Sequence, residues 1–436
     1  MDLMDNDFAL EPVPSEKTVS GYRIAMVVIG VNLALPAFIT GAEIGFALGF
    51  QHGFLSIFLG GVILSIIAMA TGTVGARLRL NTAMIANLTF GSLGGRVVSV
   101  VLAMTCLGWF GVTAELFGRS VHQIVAEFGW HGLSSTFYVI AGGLLMVITT
   151  IFGFAALQRL SNVTVPLLAI LIAYTAYITM RDRSPAVLFH SPASTADLGD
   201  GISAIVGGLA VAATIYPDLC RFSRSPGDAR LAAVLTFGIA LPAILLLAMI
   251  PSIMTHERDL MTIMITLGLG APALILLIVK AWATNAGNLY SASLGAANGF
   301  SSSNQRWAII GAGLLGIAFA VAGISERFIP FLVALGVCIP PIAGIYVVDL
   351  LWAKRSSSSF ELRASMPAFN HRAFACWALG IGGAFSAKAV ALDLTGIPAC
   401  DSMAIAATSY ALLLRLRSLQ TAKTAPVSSS EENSPC

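Results

Sequence analysis

The chain has 436 residues, of which 57% are hydrophobic and only 11% charged, with a formal net charge of +2. A soluble domain carries about 25% charged residues, so this sequence lacks the polar groups to cover a globular surface. Soluble enzymes, nucleic-acid binders and disordered scaffolds are excluded, and the near-neutral balance points to no nucleic acid polymer as partner.

The partners implied are a lipid bilayer and a small-molecule substrate. Six scattered cysteines without a C-x-x-C pair support neither a disulfide framework nor a zinc site. No metal-ligand cluster, nucleophile elbow or phosphate-binding glycine loop occurs, so no cofactor and no enzymatic activity are expected.

The first residues are polar and acidic, without the basic start, short apolar core and cleavage site of a signal peptide. Residues 1–21 therefore read as a retained, mobile N-terminal tail. Twelve apolar stretches then follow, each long enough for the ~20 residues that a bilayer-spanning helix needs. They are 22–49, 54–75, 97–125, 136–155, 162–181, 199–219, 231–253, 262–295, 306–324, 327–350, 373–391 and 397–415, spans 1 to 12 below. Continuous apolar runs favour helices over a barrel. With both termini inside, seventeen of the 24 Lys and Arg face the cytoplasm, six lie outside, and Lys280 falls within span 8. The Ser-rich segment 417–436 reads as a second cytoplasmic tail.

Spans 1 and 6 are poor helices at their centres. Span 1 carries Asn32-Leu33-Ala34-Leu35-Pro36, and Pro36 removes a backbone donor. Span 6 carries the pair Gly207-Gly208. Irregular backbone at membrane depth persists only where it is buried or lines a cavity, and interrupted helices at matching positions of two halves mark a secondary transporter's site. Spans 1 and 6 are five apart, which predicts a five-plus-five inverted repeat: 22–181, then 182–350, with spans 11 and 12 (351–416) outside it.

Ionisable groups inside a membrane cost about 2.5–3.5 kcal/mol at a helix centre and are functional candidates for that reason. Lys280 lies too deep in span 8 to snorkel, and reads as a fixed cation facing an anionic substrate group or standing in for a metal ion; a lysine merely paired with a buried carboxylate is the bland alternative. Glu115 in span 3 points away from the face of Cys106 and Trp109 and suits a contact with a neighbouring helix as well as an ion-coupling role. Glu43 is left open between counter-charge for Lys280, proton carrier and vestibule residue. Trp109, in Gly108-Trp109-Phe110-Gly111-Val112, lies mid-membrane instead of at the headgroups that tryptophan prefers. It reads as a flat platform beside a cavity or as core packing.

At these residues the chain resembles the nucleobase–cation symporter family, and within it the bacterial cytosine permeases. The resemblance is carried by residues 108–112, by Phe152-Gly153-Phe154-Ala155-Ala156-Leu157, and by Asp218-Leu219-Cys220-Arg221-Phe222. It continues in Trp282-Ala283-Thr284-Asn285 with Leu289-Tyr290, and in Ile339-Pro340-Pro341-Ile342-Ala343-Gly344. It implies a leucine-transporter-like all-α membrane fold of twelve helices, import of a planar nucleobase-like solute across the inner membrane, and stacking of Trp109 on the substrate ring.

The departures from that pattern are also informative. Cys106 stands where cytosine permeases carry a substrate-binding glutamine, and Leu209 stands for the phenylalanine that closes an aromatic sandwich. Lys280 replaces an asparagine that helps bind substrate and ion. Ala283 replaces the first of two sodium-site threonines, leaving Thr284, with backbone oxygens near Gly30 and Leu33 facing the same position. Thr284, Asn285 and the backbone around Leu35 and Gly208 are expected to give polar contacts. The coupling ion stays open between H+ and Na+, with sodium-independent transport and a tethered Lys280 cation as the expectation. An amino-acid or small organic anion transporter of the same fold is the alternative.

Overall fold

The computed structural model describes residues 11–424 apart from 33–34, 128, 131, 182–183, 185, 190–196, 258–259, 301–304, 353–366 and 390–393. Among the described residues the β structure amounts to one bridge, Val19 to Ser223. All other regular structure is helical.

Span 1 is divided between α1 (Gly21–Asn32) and the start of α2 (Leu35–Leu78). Leu33 lies outside the described residues, as does the side chain of Leu35. The 44 residues of α2 hold two helices, turning at Gly49, whose φ of 67° belongs to the left-handed region that glycine enters without a Cβ clash. The short α3 (Thr82–Phe90) follows, started by the Asn81 side chain accepting from the Met84 amide. Span 3 is α4 (Ser92–Glu127), and spans 4 and 5 run together in α5 (Ser135–Arg181), with apolar ends Ser135–Ile151 and Pro166–Arg181. The motif 152–157 lies between these ends, where side chains are outside the description.

The second half continues through α6 (Ala186–Phe189), α7 (Leu198–Thr214), α8 (Pro217–Cys220) and α9 (Pro226–Ala233). A π-helical stretch, Val234–Ala240, leads into α10 (Leu241–Thr255), then α11 (Leu260–Thr266), α12 (Gly270–Phe300) and α13 (Gln305–Val321). Span 10 is α14 (Phe328–Cys338) and α15 (Pro340–Val347), and spans 11 and 12 are α16 (His371–Ala389) and α17 (Pro398–Thr424). Among the described residues, five helices are long and apolar enough to cross a bilayer and four shorter apolar helices accompany them.

Two expectations change here. The end of the N-terminal tail is not loose: Val13 is buried, its amide donates to the Arg79 carbonyl at 3.1 Å, and Val19 and Arg224 join the bridge to the segment after α8. Asp228 then caps the amide of Gly21 at 2.8 Å. These contacts supply partners for backbone groups that a free tail would leave to water. The last helix also runs on to Thr424, past the expected boundary at 416, while residues 425–436 lie outside the described residues.

The apolar core is partitioned. One cluster joins α1, α2, α7 and α10 through Ile24, Ile57, Ile205, Phe237 and Leu245. Another joins α4, α5, α12 and α13 through Phe110, Met146, Ala281 and Ala312. A third gathers α15, α16 and α17 with α3 and the start of α4. Spans 1, 2, 6 and 7 thus form one packed unit and spans 3, 4, 8 and 9 another.

Candidate functional site

A helix leaves its last four carbonyls without partners inside the helix. Gly30 is among the last four residues of α1, so its carbonyl needs a donor from elsewhere. That donor is Lys280 of α12, whose ammonium nitrogen lies 2.7 Å from the Gly30 oxygen. The lysine is only 1% exposed, so its charge is withdrawn from lipid and bulk water alike. The negative end of the α1 dipole faces it, an arrangement favourable to a cation. One helical turn along α12, the Thr284 hydroxyl is buried with no hydrogen-bond partner among the described residues. Ala283 beside it is buried and contributes no polar atom.

Span 6 is interrupted at a different place from the one expected. Gly207 and Gly208 lie within continuous α7, and the helix stops after Thr214. Gly207 serves packing: a Cβ there would sit 2.7 Å from the Leu332 carbonyl oxygen and 3.5 Å from the Gly336 Cα of α14. Small residues allow helices this close in membranes. The break follows from Pro217, which opens α8 and has no amide to continue the helix. The carbonyls it frees are met by hydroxyls, Thr71 donating to Ala213 at 2.8 Å and Tyr346 to Thr214 at 2.7 Å. Reading the sequence missed both donors; the signal was a tyrosine hydroxyl stranded in the apolar run of span 10.

Trp109 is half-buried on α4 and meets Phe331 of α14 edge-on, ring centroids 5.7 Å apart at 73°. Gly108 makes room, since a Cβ there would come within 2.5 Å of the Phe331 ring. Cys106, one turn earlier, is buried in the cluster of spans 3, 4, 8 and 9. Leu209 packs against the cluster of spans 1, 2, 6 and 7. Gly208 is half-buried, with the Leu332 side chain 3.8 Å from where a Cβ would stand.

Asn285 is fully buried, and its amide donates to the Phe110 carbonyl at 3.1 Å and to Met146 Sδ at 3.2 Å. Both amide hydrogens are thus engaged within its own helical unit. Glu115 is likewise engaged: Arg119 pairs with it at 2.6 Å and the Ser325 amide donates to it at 2.8 Å. It therefore joins span 3 to the turn after span 9. Glu43 is half-buried on α2, one residue from Ala42, whose carbonyl accepts from Ser252 at 2.8 Å.

Over residues 12–412 the chain matches the family described as permeases for cytosine/purines, uracil, thiamine and allantoin. It belongs to that family. Cytosine permease of Escherichia coli strain K12 is 29% identical over 414 residues, covering 94% of both chains, and that of Escherichia coli O157:H7 matches equally. Among solved structures, Mhp1, a nucleobase-cation-symport-1 family transporter, closed with bromovinylhydantoin bound, superposes with a TM-score of 0.79. The identity is 17%, over 96% of this chain and 97% of that one. Inward-facing Mhp1 superposes at 0.81 with 16% identity, over 94% and 93%. The fold is therefore the leucine-transporter-like one, and the chain is a multi-pass membrane permease of the nucleobase family, a secondary transporter working by alternating access and not an enzyme.

Proposed function

We propose that the permease imports a planar nucleobase-like heterocycle across the inner membrane, with both termini on the cytoplasmic side. Residues 22–181 and 182–350 act as the two repeats, and the solute binds near the midplane between spans 1 and 6 on one side and spans 3 and 8 on the other. The observation that carries the substrate class is Trp109, a large flat ring in mid-membrane, braced edge-on by Phe331 and left partly accessible. Stacking of a base on such a ring contributes about 1–3 kcal/mol.

Cys106 and Leu209, one in each helical unit, offer less hydrogen-bonding capacity than the resemblance to cytosine permeases implies there. A site with fewer polar partners discriminates less sharply among ligands by their polar groups. The ligand is thus a planar oxo-substituted heterocycle held more by stacking and by the Thr284 hydroxyl than by a dense polar shell.

The rival reading, an amino-acid or organic anion carrier, needs the Lys280 ammonium to greet a carboxylate. Its hydrogen bond to Gly30 aims that charge at the end of α1 instead. The deciding experiment is a panel of nucleobases, related heterocycles and amino acids, measured by uptake into proteoliposomes and by thermal stabilisation. Stabilisation and uptake of one planar heterocycle, both lost in Trp109→Ala, support the proposal; uptake confined to amino acids overturns it.

A further inference from the structure

Three observations meet at Lys280. It is buried on α12, within the packed unit of spans 3, 4, 8 and 9. Its ammonium donates to Gly30, in the unit of spans 1, 2, 6 and 7. The interruption in span 6 is treated differently, since neutral hydroxyls from Thr71 and Tyr346 meet its carbonyls. Neutral donors therefore suffice to satisfy freed carbonyls in this fold. At α1 the chain supplies a full positive charge at the negative end of a helix, reaching from the other helical unit.

We propose that Lys280 is a covalently tethered cation that caps α1 and joins the two helical units, taking the place of a diffusible sodium ion. The proposal rests on the alternating-access reading and not on which heterocycle is carried. A bound metal ion and an ammonium both answer the same need, a positive charge against carbonyl oxygens of an interrupted helix. The tethered charge differs in that it is present in every cycle and cannot be exchanged with the medium. Coulomb repulsion between it and a second cation a few ångströms away excludes sodium from the same place. The Thr284 hydroxyl one turn away, without a partner among the described residues, is an oxygen that a metal ion would use once the ammonium is removed.

The test uses the full chain in detergent with no organic solute, so that its outcome is independent of the substrate panel. Melting temperatures are compared in sodium, potassium and choline chloride at equal ionic strength. The wild-type protein is expected to melt alike in all three. Lys280→Ala is expected to melt lower in choline and to recover in sodium, rising in proportion to the logarithm of sodium concentration once the site saturates. If Lys280→Ala does not fold, Lys280→Gln, one atom shorter than lysine, keeps a donor without the charge and carries the same readout. Sodium-specific stabilisation of the wild-type protein, or a charge-free variant indifferent to all three cations, overturns the proposal.

Discussion

The Tyr346 hydroxyl donates to the Thr214 carbonyl at 2.7 Å, and both groups are fully buried. The bond ties span 10 to the point where span 6 stops being a helix. Tyr346→Phe keeps the ring and removes only the donor, leaving a carbonyl unsatisfied away from water. Such a loss costs about 1–3 kcal/mol. A lower melting temperature with helix content unchanged by circular dichroism is the expected result, and Thr71→Val is expected to act the same way on Ala213.

Trp109→Ala removes the stacking surface and is expected to weaken heterocycle binding by about 1–3 kcal/mol, roughly five- to 150-fold. Trp109→Phe keeps a smaller ring and should fall between. Isothermal titration with whichever heterocycle the panel identifies gives the numbers; equal affinities in all three proteins would remove Trp109 from the site.

Arg119 is shared unequally between Glu326 and the more tightly paired Glu115, in a way that mutagenesis can read. The Glu115 carboxylate is buried and takes both the Arg119 guanidinium and the Ser325 amide, and charge-assisted bonds of this kind contribute about 1.5–3 kcal/mol. The Arg119–Glu326 pair is longer, 3.6 Å, with both side chains well exposed, and is worth less than about 1 kcal/mol. Arg119→Ala should therefore lower the melting temperature clearly, since it leaves a buried carboxylate without its cation, while Glu326→Ala should leave it nearly unchanged.

Glycines in this chain separate into two classes by what surrounds them. Gly207→Ala pushes a methyl group into the Leu332 backbone, which cannot swing aside, and should destabilise by about 1–3 kcal/mol. Gly311→Ala on α13 meets nothing within 4 Å. It should be neutral or stabilising by up to about 1 kcal/mol, because alanine is the better helix former. Thermal melts of the pair would reverse the glycine assignment if they came out in the opposite order.

Much of the helical order was legible because apolar runs of bilayer length admit few other structures, and Pro36 marks the interruption of span 1. Span 6 misled because glycine has two uses in a membrane helix. Gly207 is a close-approach residue, whereas the helix stops ahead of Pro217, a weaker-looking signal near the span's end. The short α3 lacks the length of a span, and only Asn81 announces it. Lys280 was visible as a buried charge, but a lysine's partner 250 positions away follows from how two helical units are set together. Asn285 drew attention through its motif, and its engagement by Phe110 and Met146 depends on the side-by-side placement of spans 3, 4 and 8.

The division of the apolar core into separate clusters sets the pattern of epistasis in this permease. Substitutions at distant sites without shared partners add to within a few tenths of a kcal/mol, whereas residues in contact do not. A truncation at Ile57 and one at Met146, in different clusters, should sum when combined. Combinations that include Gly30 and Lys280 should depart from additivity, because one bond there spans both units. A double-mutant map of the protein would accordingly show blocks, with signals between them from that pair and from the cluster in which Phe38 and Ile244 meet Leu168 and Ile172.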